Sequence, residues 1–395
     1  SLPHEEQVLT MEFSPDGLLL LTVCLDEVVR VWDCLSGQLL VQPFKFYTFI
    51  GSATFHPARR RLLIASGDVT GRNYDQLALD HTAQLWDLQV TAGFGLPISH
   101  TAGVTDVAFT SDGAQAASAG ADGLVLVSDR ENGATLRSLK REQAPVSKLA
   151  FSAHGSELLT VSGSNRVEVC STKDWRPQAF HLYPGTNAIH AFLSPSGDRV
   201  ASASSNLVTV WKTADGEVEF EEKLPETVVM ALALSPDGQW LLAGAADETV
   251  HRWHRPHASD WKAWTALPPI RFTNSIMQHA EFSPDSRRVL SANRDEVARV
   301  WWAESGESAP GDALLKMDRP VKYAELSPDG TKVLTVGGRK VRIWDADTAG
   351  ALTETFQHQA EINSAHFSPD GQFVLTASED ATARLWEVRT GLEIA

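Results

Sequence analysis

The sequence of 395 residues contains only three cysteines, Cys24, Cys34 and Cys170, and no Asn-x-Ser/Thr site for N-glycosylation. Three cysteines cannot form a complete set of disulfides. Few cysteines and the absence of an N-glycosylation site are both typical of proteins from a reducing compartment. We therefore expect a cytoplasmic protein.

Positive charge is also scarce, because 34 Lys and Arg residues stand against 50 Asp and Glu, which gives a net charge of -16. A protein that neutralises phosphates needs clustered Lys and Arg, so we expect no nucleic-acid partner. The longest apolar run, Leu18 to Leu25, contains Thr22. It is far too short to span a bilayer, so we expect no membrane insertion.

Sequence motifs typical of phosphate-binding, metal-binding and catalytic sites are missing. The sequence has no phosphate-binding glycine loop, no HExxH and no CxxC. His251, His254 and His257 are three residues apart, whereas ligands on one face of a strand need even spacing. We expect no metal, no cofactor and no enzymatic activity.

What the sequence does have is a unit that recurs nine times. Each unit contains a Phe or Leu, here called the anchor, followed by a turn such as Ser368-Pro369-Asp370-Gly371. Pro presets φ for a turn and Gly accepts φ > 0. A period in the low forties is the signature of a four-stranded propeller blade. The anchors lie 41 to 54 residues apart, at Phe13, Phe55, Phe109, Phe151, Leu193, Leu234, Phe282, Leu326 and Phe367.

Each anchor is followed by a strand that ends at a tryptophan in most units. These end residues are Trp32, Trp86, Ser128, Cys170, Trp211, Trp253, Trp301, Trp344 and Trp386. No linker separates any two units, so we expect one all-β domain with nine four-stranded blades. A ring of seven or eight blades with extra units is the alternative. The approximate blade boundaries are 4–45, 46–99, 100–141, 142–183, 184–224, 225–272, 273–316, 317–357 and 358–395.

These features resemble WD40 repeats, and the resemblance covers essentially the whole chain. Trp32, Trp86 and Trp344 are each followed by Asp, and LTASEDATARLW, which ends at Trp386, is similar to repeats of bacterial WD40 arrays. The resemblance implies a single WD40 β-propeller with a hydrogen-bonded tetrad of His, Ser/Thr, Asp and Trp inside a blade. The matching residues are His4, Thr22, Asp26 and Trp32 in unit one, and His358, Thr376, Asp380 and Trp386 in unit nine.

Other units depart from the tetrad pattern. Unit three has Ser128 in place of the Trp, and unit seven keeps Trp301 without a matching His. We therefore expect tetrads only in units one and nine. Although the tetrad combines residue types used in nucleophilic catalysis, it repeats along the chain, so we interpret it as structural.

Insertions mark two candidate interaction sites. One lies between Ala65 and Asp80, in a connection that the family places on the same face as the link into unit two. Aromatic residues near a long polar loop are typical of an interface anchor with an adaptable rim, although a longer hairpin is the simpler alternative. The candidate binding residues are Tyr47, Phe49, Arg72, Asn73 and Tyr74, with Arg294 as a lesser one. The second insertion carries Trp261 and Trp264, and it projects on the opposite face or caps a blade edge.

The function that fits these patterns is a non-enzymatic scaffold, expected as a monomer, that binds a protein or peptide through one face of the ring. One alternative is a regulatory or sensor propeller from a larger bacterial signalling protein of the kind that contains a kinase. The other is a small-ligand or enzymatic site at the central channel. Carboxylates or His clustered at a channel mouth would favour that site, but the loops show no such enrichment.

Closure of the ring is expected to be unusual. Propellers of this family often complete one blade with strands from both termini. Here unit one starts at His4 with its first strand, and the short segment at 391–395 stands in place of an outer strand in unit nine. We therefore expect nine blades in one ring, closed by packing of blade one on blade nine, without a shared blade.

Overall fold

The computed structural model is an all-β ring of nine four-stranded sheets, so the predicted nine-bladed propeller is confirmed. Within the described residues there are strands and turns but no helix. The structure describes residues 2–46, 48–67, 81–88, 92–129, 134–140, 144–163, 165–182, 189–225, 227–257, 260–272, 276–293, 295–309, 314–353 and 355–394.

Each blade runs from an inner strand at the channel to an outer strand at the rim. Blade one contains β2 (Val8–Phe13), β3 (Leu19–Cys24), β4 (Val28–Asp33) and β5 (Phe44–Lys45). Blade two contains β6 (Ile50–Phe55), β7 (Arg61–Ser66), β8 (Thr82–Asp87) and β9 (Ala92–Ser99). Blade three contains β10 (Val104–Phe109), β11 (Gln115–Gly120), β12 (Leu124–Asp129) and β13 (Thr135–Lys140). Blade four contains β14 (Val146–Phe151), β15 (Glu157–Ser162), β16 (Arg166–Ser171) and β17 (Pro177–Leu182). Blade five contains β18 (Ile189–Leu193), β19 (Arg199–Ser204), β20 (Leu207–Lys212) and β21 (Val218–Lys223). Blade six contains β22 (Val229–Leu234), β23 (Trp240–Ala245), β24 (Thr249–His254) and β25 (Thr265–Arg271). Blades seven and eight contain β26 (Met277–Phe282), β27 (Arg288–Asn293), β28 (Val297–Trp302), β29 (Leu315–Lys316); and β30 (Tyr323–Leu326), β31 (Lys332–Gly337), β32 (Lys340–Asp345), β33 (Phe356–Gln357). Blade nine contains β34 (Ile362–Phe367), β35 (Phe373–Ser378) and β36 (Thr382–Glu387), with β1 (Leu2–Pro3) at its outer edge.

The repeated turn after the anchor makes the first hairpin of each blade. In blade nine the Gly371 N–H donates to the Ser368 carbonyl at 2.8 Å, which closes a β-turn. Gly371 has φ +67°, in the left-handed region that glycine enters without steric cost. The Asp370 carboxylate accepts from the Ser368 hydroxyl at 2.6 Å, which fixes the turn from within.

The core of the ring is divided among the blade interfaces. Second strands are buried on both faces, as in β3, where all six residues are buried. Nine clusters of buried apolar side chains each join two neighbouring blades. Each blade therefore buries its sheet faces against its neighbours, which is how a repeat array acquires a continuous core.

The prediction that no blade is shared is wrong, because β1 pairs with β36 and completes blade nine. Leu2 stands opposite Ala383 and Pro3 opposite Thr382, while Glu393 bridges to Trp386 further along the same edge. The outer strand of blade nine is thus made of two short pieces from opposite ends of the chain. The proline is tolerated because it lies on an edge strand.

Leu2 also fastens the seam between blades nine and one. It is 2% exposed and lies in a cluster that combines Leu375 and Leu385 of blade nine with Val8 and Trp32 of blade one. The Asn363 side-chain amide donates to the Val8 carbonyl at 2.9 Å across the same seam. Strand pairing and side-chain packing therefore close the ring together.

Candidate functional site: the two faces and the channel

The ring has two faces, and they differ in the hydrogen bonds that their carboxylates accept. We call the face that carries the turns after the anchors the turn face. The face that carries the links between blades, and the turns between second and third strands, is the link face. The predicted binding residue Phe49 lies in the link into blade two and is half-buried. Tyr47, Arg72, Asn73, Tyr74 and Arg294 lie outside the described residues.

Blade nine brings its four tetrad residues into one hydrogen-bonded chain. His358 Nδ1 lies 2.9 Å from Asp380 Oδ2, and His358 Nε2 lies 2.7 Å from Thr376 Oγ1. The Trp386 indole donates to the same Thr376 oxygen at 3.0 Å. Burial lowers the pKa of His358, so its ring is neutral at pH 7. An Nδ1–H that donates to Asp380 leaves Nε2 free to accept from the threonine hydroxyl.

Blade one keeps two of these contacts and changes the third. His4 Nε2 lies 2.8 Å from Thr22 Oγ1, and the Trp32 indole donates to that oxygen at 2.9 Å. His4 Nδ1, however, is 2.9 Å from the Leu2 carbonyl rather than bonded to Asp26. Asp26 forms an ion pair with Arg30 at 2.7 Å instead. The histidine of blade one therefore holds the N-terminal strand in place.

The other blades keep parts of the network. Trp301 donates to Ser291 Oγ at 3.2 Å, and Trp344 donates to Thr335 Oγ1 at 2.8 Å. Blade eight places Met317 where blade nine has its histidine, and the Thr335 hydroxyl lies 3.1 Å from the Met317 sulfur. The bond from tryptophan to hydroxyl is thus the part most often retained, with or without a histidine beside it.

A Trp386→Phe variant should lose about 1–3 kcal/mol of unfolding free energy, because it leaves a buried network one donor short. Trp301→Phe should lose less, since unit seven offers no matching histidine and its indole bond is longer, at 3.2 Å. Urea denaturation of the two variants measures the difference. Equal losses would contradict a cooperative network in blade nine.

The turn-face aspartates are used within their own turns. A Ser or Thr hydroxyl donates to the Asp carboxylate two residues later at 2.5–2.7 Å. The Ser327 hydroxyl, for example, holds the pKa of Asp329 down at about 2. The pairs are Ser14–Asp16, Thr110–Asp112, Ser235–Asp237, Ser283–Asp285, Ser327–Asp329 and Ser368–Asp370.

The link face has exposed carboxylates that, among the described residues, accept no such hydrogen bond from a Ser or Thr hydroxyl. Glu5, Glu6, Glu361 and Glu379 are exposed around the seam of blades nine and one, and we call them the seam patch. Backbone hydrogen bonds hold them together, because the Glu379 N–H donates to the Glu361 carbonyl and the His4 N–H to the Ala381 carbonyl, both at 2.9 Å. Within the described residues none of the four forms an ion pair.

The insertion with two tryptophans packs onto the ring. Trp261 is buried in the cluster between blades five and six. The guanidinium carbon of Arg255 lies 3.6 Å from the centre of the Trp261 ring, and the Trp261 and Trp264 rings are 6.1 Å apart. This packing is that of a cap on a blade edge.

Ionisable residues line part of the channel, on the inner strands rather than in the loops. The residue just before the anchor is Glu12 in blade one, Glu281 in blade seven, Glu325 in blade eight and His366 in blade nine. Each carboxylate accepts the N–H of the next blade's anchor; the pairs are Glu12–Phe55 at 3.4 Å, Glu281–Leu326 at 3.2 Å and Glu325–Phe367 at 3.3 Å. These residues lie on strands rather than in loops, and the signal for them in the sequence is their shared position immediately before the anchor.

This channel cluster is engaged in holding blades together. The Tyr323 hydroxyl donates to Glu325 Oε2 at 3.0 Å, and His366 Nδ1 lies 2.9 Å from the same oxygen. Burial raises the pKa of Glu12 and of Glu281 to about 7. Within the described residues, no group of three or more His, Cys, Asp or Glu is arranged to hold a metal ion.

Comparisons with known proteins agree with the geometry. The family profile described as "WD domain, G-beta repeat" matches residues 1–33, 96–129, 221–254 and 350–387. The chain is 27% identical over 409 residues to the rat "Telomerase protein component 1", covering 99% of this chain but 15% of that protein. It is 25% identical over 214 residues to the tobacco "Guanine nucleotide-binding protein subunit beta", covering 51% of this chain and 56% of that protein.

A solved structure shares the fold. The crystal structure of the computationally designed Ika8 protein aligns with a TM-score of 0.66 at 19% identity, covering 98% of this chain and 97% of that one. In the part of the chain that the structure describes, no helix is long and apolar enough to cross a membrane.

Proposed function

We propose that this chain, which is a WD40-repeat β-propeller of nine blades, is a scaffold that binds a protein or peptide partner through its link face. By their names, the two relatives above are a subunit and a component of larger assemblies. A rigid ring that presents short loops on a flat face suits the same kind of role.

The group of exposed glutamates around the seam carries the choice of the link face. The turn-face aspartates accept hydrogen bonds from hydroxyls of their own turns and keep their charge. The four glutamates of the seam patch are grouped around one seam and have no ion-pair partner among the described residues. Unpaired exposed charge steers association and selects partners of opposite sign. The partner surface that fits the seam patch is therefore basic.

We expect aromatic residues to supply the apolar part of this interface. Phe49 lies in the link into blade two, which neighbours blade one. We assign Tyr47, Phe49, Arg72, Asn73 and Tyr74 to the hot spot of the interface, with Arg294 as a secondary contact. Tyr and Arg are enriched among residues that dominate binding energy.

A double variant with Glu361→Lys and Glu379→Lys should lose its partner, since two attractive charges become repulsive. The matched control reverses Glu304 and Glu307, two exposed glutamates of the turn face. Proteins retained by each immobilised ring are quantified by mass spectrometry at equal loading. Loss in the link-face variant alone is expected, and equal retention by both variants would reject the proposal.

The hot spot is tested separately by Phe49→Ala and by shortening residues 67–75. We expect partner affinity to fall at least about tenfold, the effect of removing one hot-spot residue. The urea midpoint should stay close to that of the unmodified chain. Unchanged affinity in both variants would remove these residues from the interface.

A further inference from the structure

The channel wall contains a cavity that arises from small side chains. Blades one, seven and eight have a glutamate just before the anchor, whereas blades three, four and six have Ala108, Ala150 and Ala233 there. A cavity of about 690 Å3 runs along the wall from blade four to blade seven, with Ala150, Ala231 and Ala233 in its lining and Glu281 of blade seven in the same lining, on the blade farthest from Lys148. That volume lies within the range of small-molecule sites.

An aromatic ring stands inside this cavity. Phe192 of blade five lines it and keeps 37% of its surface exposed. The Lys148 ammonium lies 5.3 Å from the centre of the Phe192 ring. A flat apolar group placed on this ring would therefore lie beside a positive charge.

The positive charge of Lys148 is available to a ligand. Within the described residues Lys148 has no ion-pair partner. The nearby Asp106 carboxylate is occupied by the Leu149 N–H at 2.8 Å and by the Val107 N–H at 2.9 Å. His190, on the next blade, also lines the cavity. Burial and the Lys148 charge lower the pKa of His190, so its neutral ring has one N–H to donate.

We propose that this cavity binds a small aromatic carboxylate. The carboxylate is held by Lys148 and His190, and the ring lies on Phe192 between Ala150 and Ala233. A charge-assisted hydrogen bond combined with an apolar shelf is the usual composition of such sites. This proposal does not depend on the partner-binding role of the link face.

The probe is 3-(4-fluorophenyl)propionate, followed by fluorine NMR. A fragment of this size should bind with a Kd on the order of 1 mM. Lys148→Met should weaken binding at least about tenfold, the effect of losing one hydrogen bond to a charged group. The corresponding primary amide should bind more weakly by a similar factor, because it has no negative charge.

A substitution that reduces the cavity tests where the ligand binds. Ala233→Leu should abolish binding, while Lys45→Met, which removes an exposed lysine at the rim, should leave it unchanged. Urea midpoints confirm that each variant is folded, and Phe192→Ala, at an exposed ring, serves as a second cavity variant. No saturable binding to the unmodified chain would overturn the proposal. Equal affinity for the amide would do the same, as would binding that survives both cavity variants.

Discussion

A Leu2→Ala variant should lose about 2–4 kcal/mol of unfolding free energy, because a strand of only two residues depends on this side chain. Leu2 is 2% exposed and packs against both blade nine and blade one. Large-to-small changes at such positions remove transfer energy and leave a cavity. Urea denaturation followed by tryptophan fluorescence measures the loss.

The matched control lies at the other end of the chain. Leu392 belongs to the C-terminal segment of the same blade but is 66% exposed. Leu392→Ala should therefore leave stability unchanged within about 0.5 kcal/mol. Hydrogen exchange locates the effect, because amides of β2 and β34 should lose protection first in Leu2→Ala. A loss spread evenly over all blades would show that Leu2 does not fasten the seam.

Glu12→Gln and Glu281→Gln should each stabilise the ring at pH 8.5 by about 2 kcal/mol, and should have little effect at pH 5. Burial raises the pKa of both carboxyls from 4.5 to about 7. Their contribution to stability is therefore fully present below pH 4.5 and is lost as the pH rises through 7. The expected size is reduced from the full shift because both groups retain some contact with solvent.

Thermal unfolding at pH 5 and at pH 8.5 tests this prediction. Glutamine keeps the carbonyl that accepts the Phe55 or Leu326 N–H, so only the charge is removed. The unmodified chain should lose more stability between the two pH values than either variant. Glu379→Gln, at an exposed glutamate of the seam patch, should follow the unmodified chain. Parallel pH profiles for all four proteins would refute the assignment.

Much of the fold was predictable because its signals are local. The anchor and its turn lie within five residues of each other, so Phe367 to Gly371 predicts a hairpin by itself. Nine copies of that signal predict nine blades, since a blade cannot bury both faces alone. The four residues proposed for blade nine lie close together because their spacing follows the same repeat.

Ring closure was harder to predict because its strand is only two residues long. In blade eight Phe356 and Gln357 pair with the third strand just before the link. Leu2 and Pro3 hold the same register in blade nine, and Leu2 precedes His4 by two positions as Phe356 precedes His358. That spacing was the available signal. The ion pair of Asp26 with Arg30 had no comparable signal, because it depends on how two neighbouring side chains compete for one carboxylate.

The two-piece outer strand also sets the order of events during synthesis. Leu2 leaves the ribosome about 380 residues before Thr382–Glu387, the strand that it pairs with. At typical translation rates that interval is roughly 20–80 s. The first blades can stack on one another during this time, because the cluster between blades one and two needs nothing from later in the chain. Until the last blade emerges, the growing molecule is an open arc whose first blade exposes an apolar face, and in this period it is most prone to aggregate.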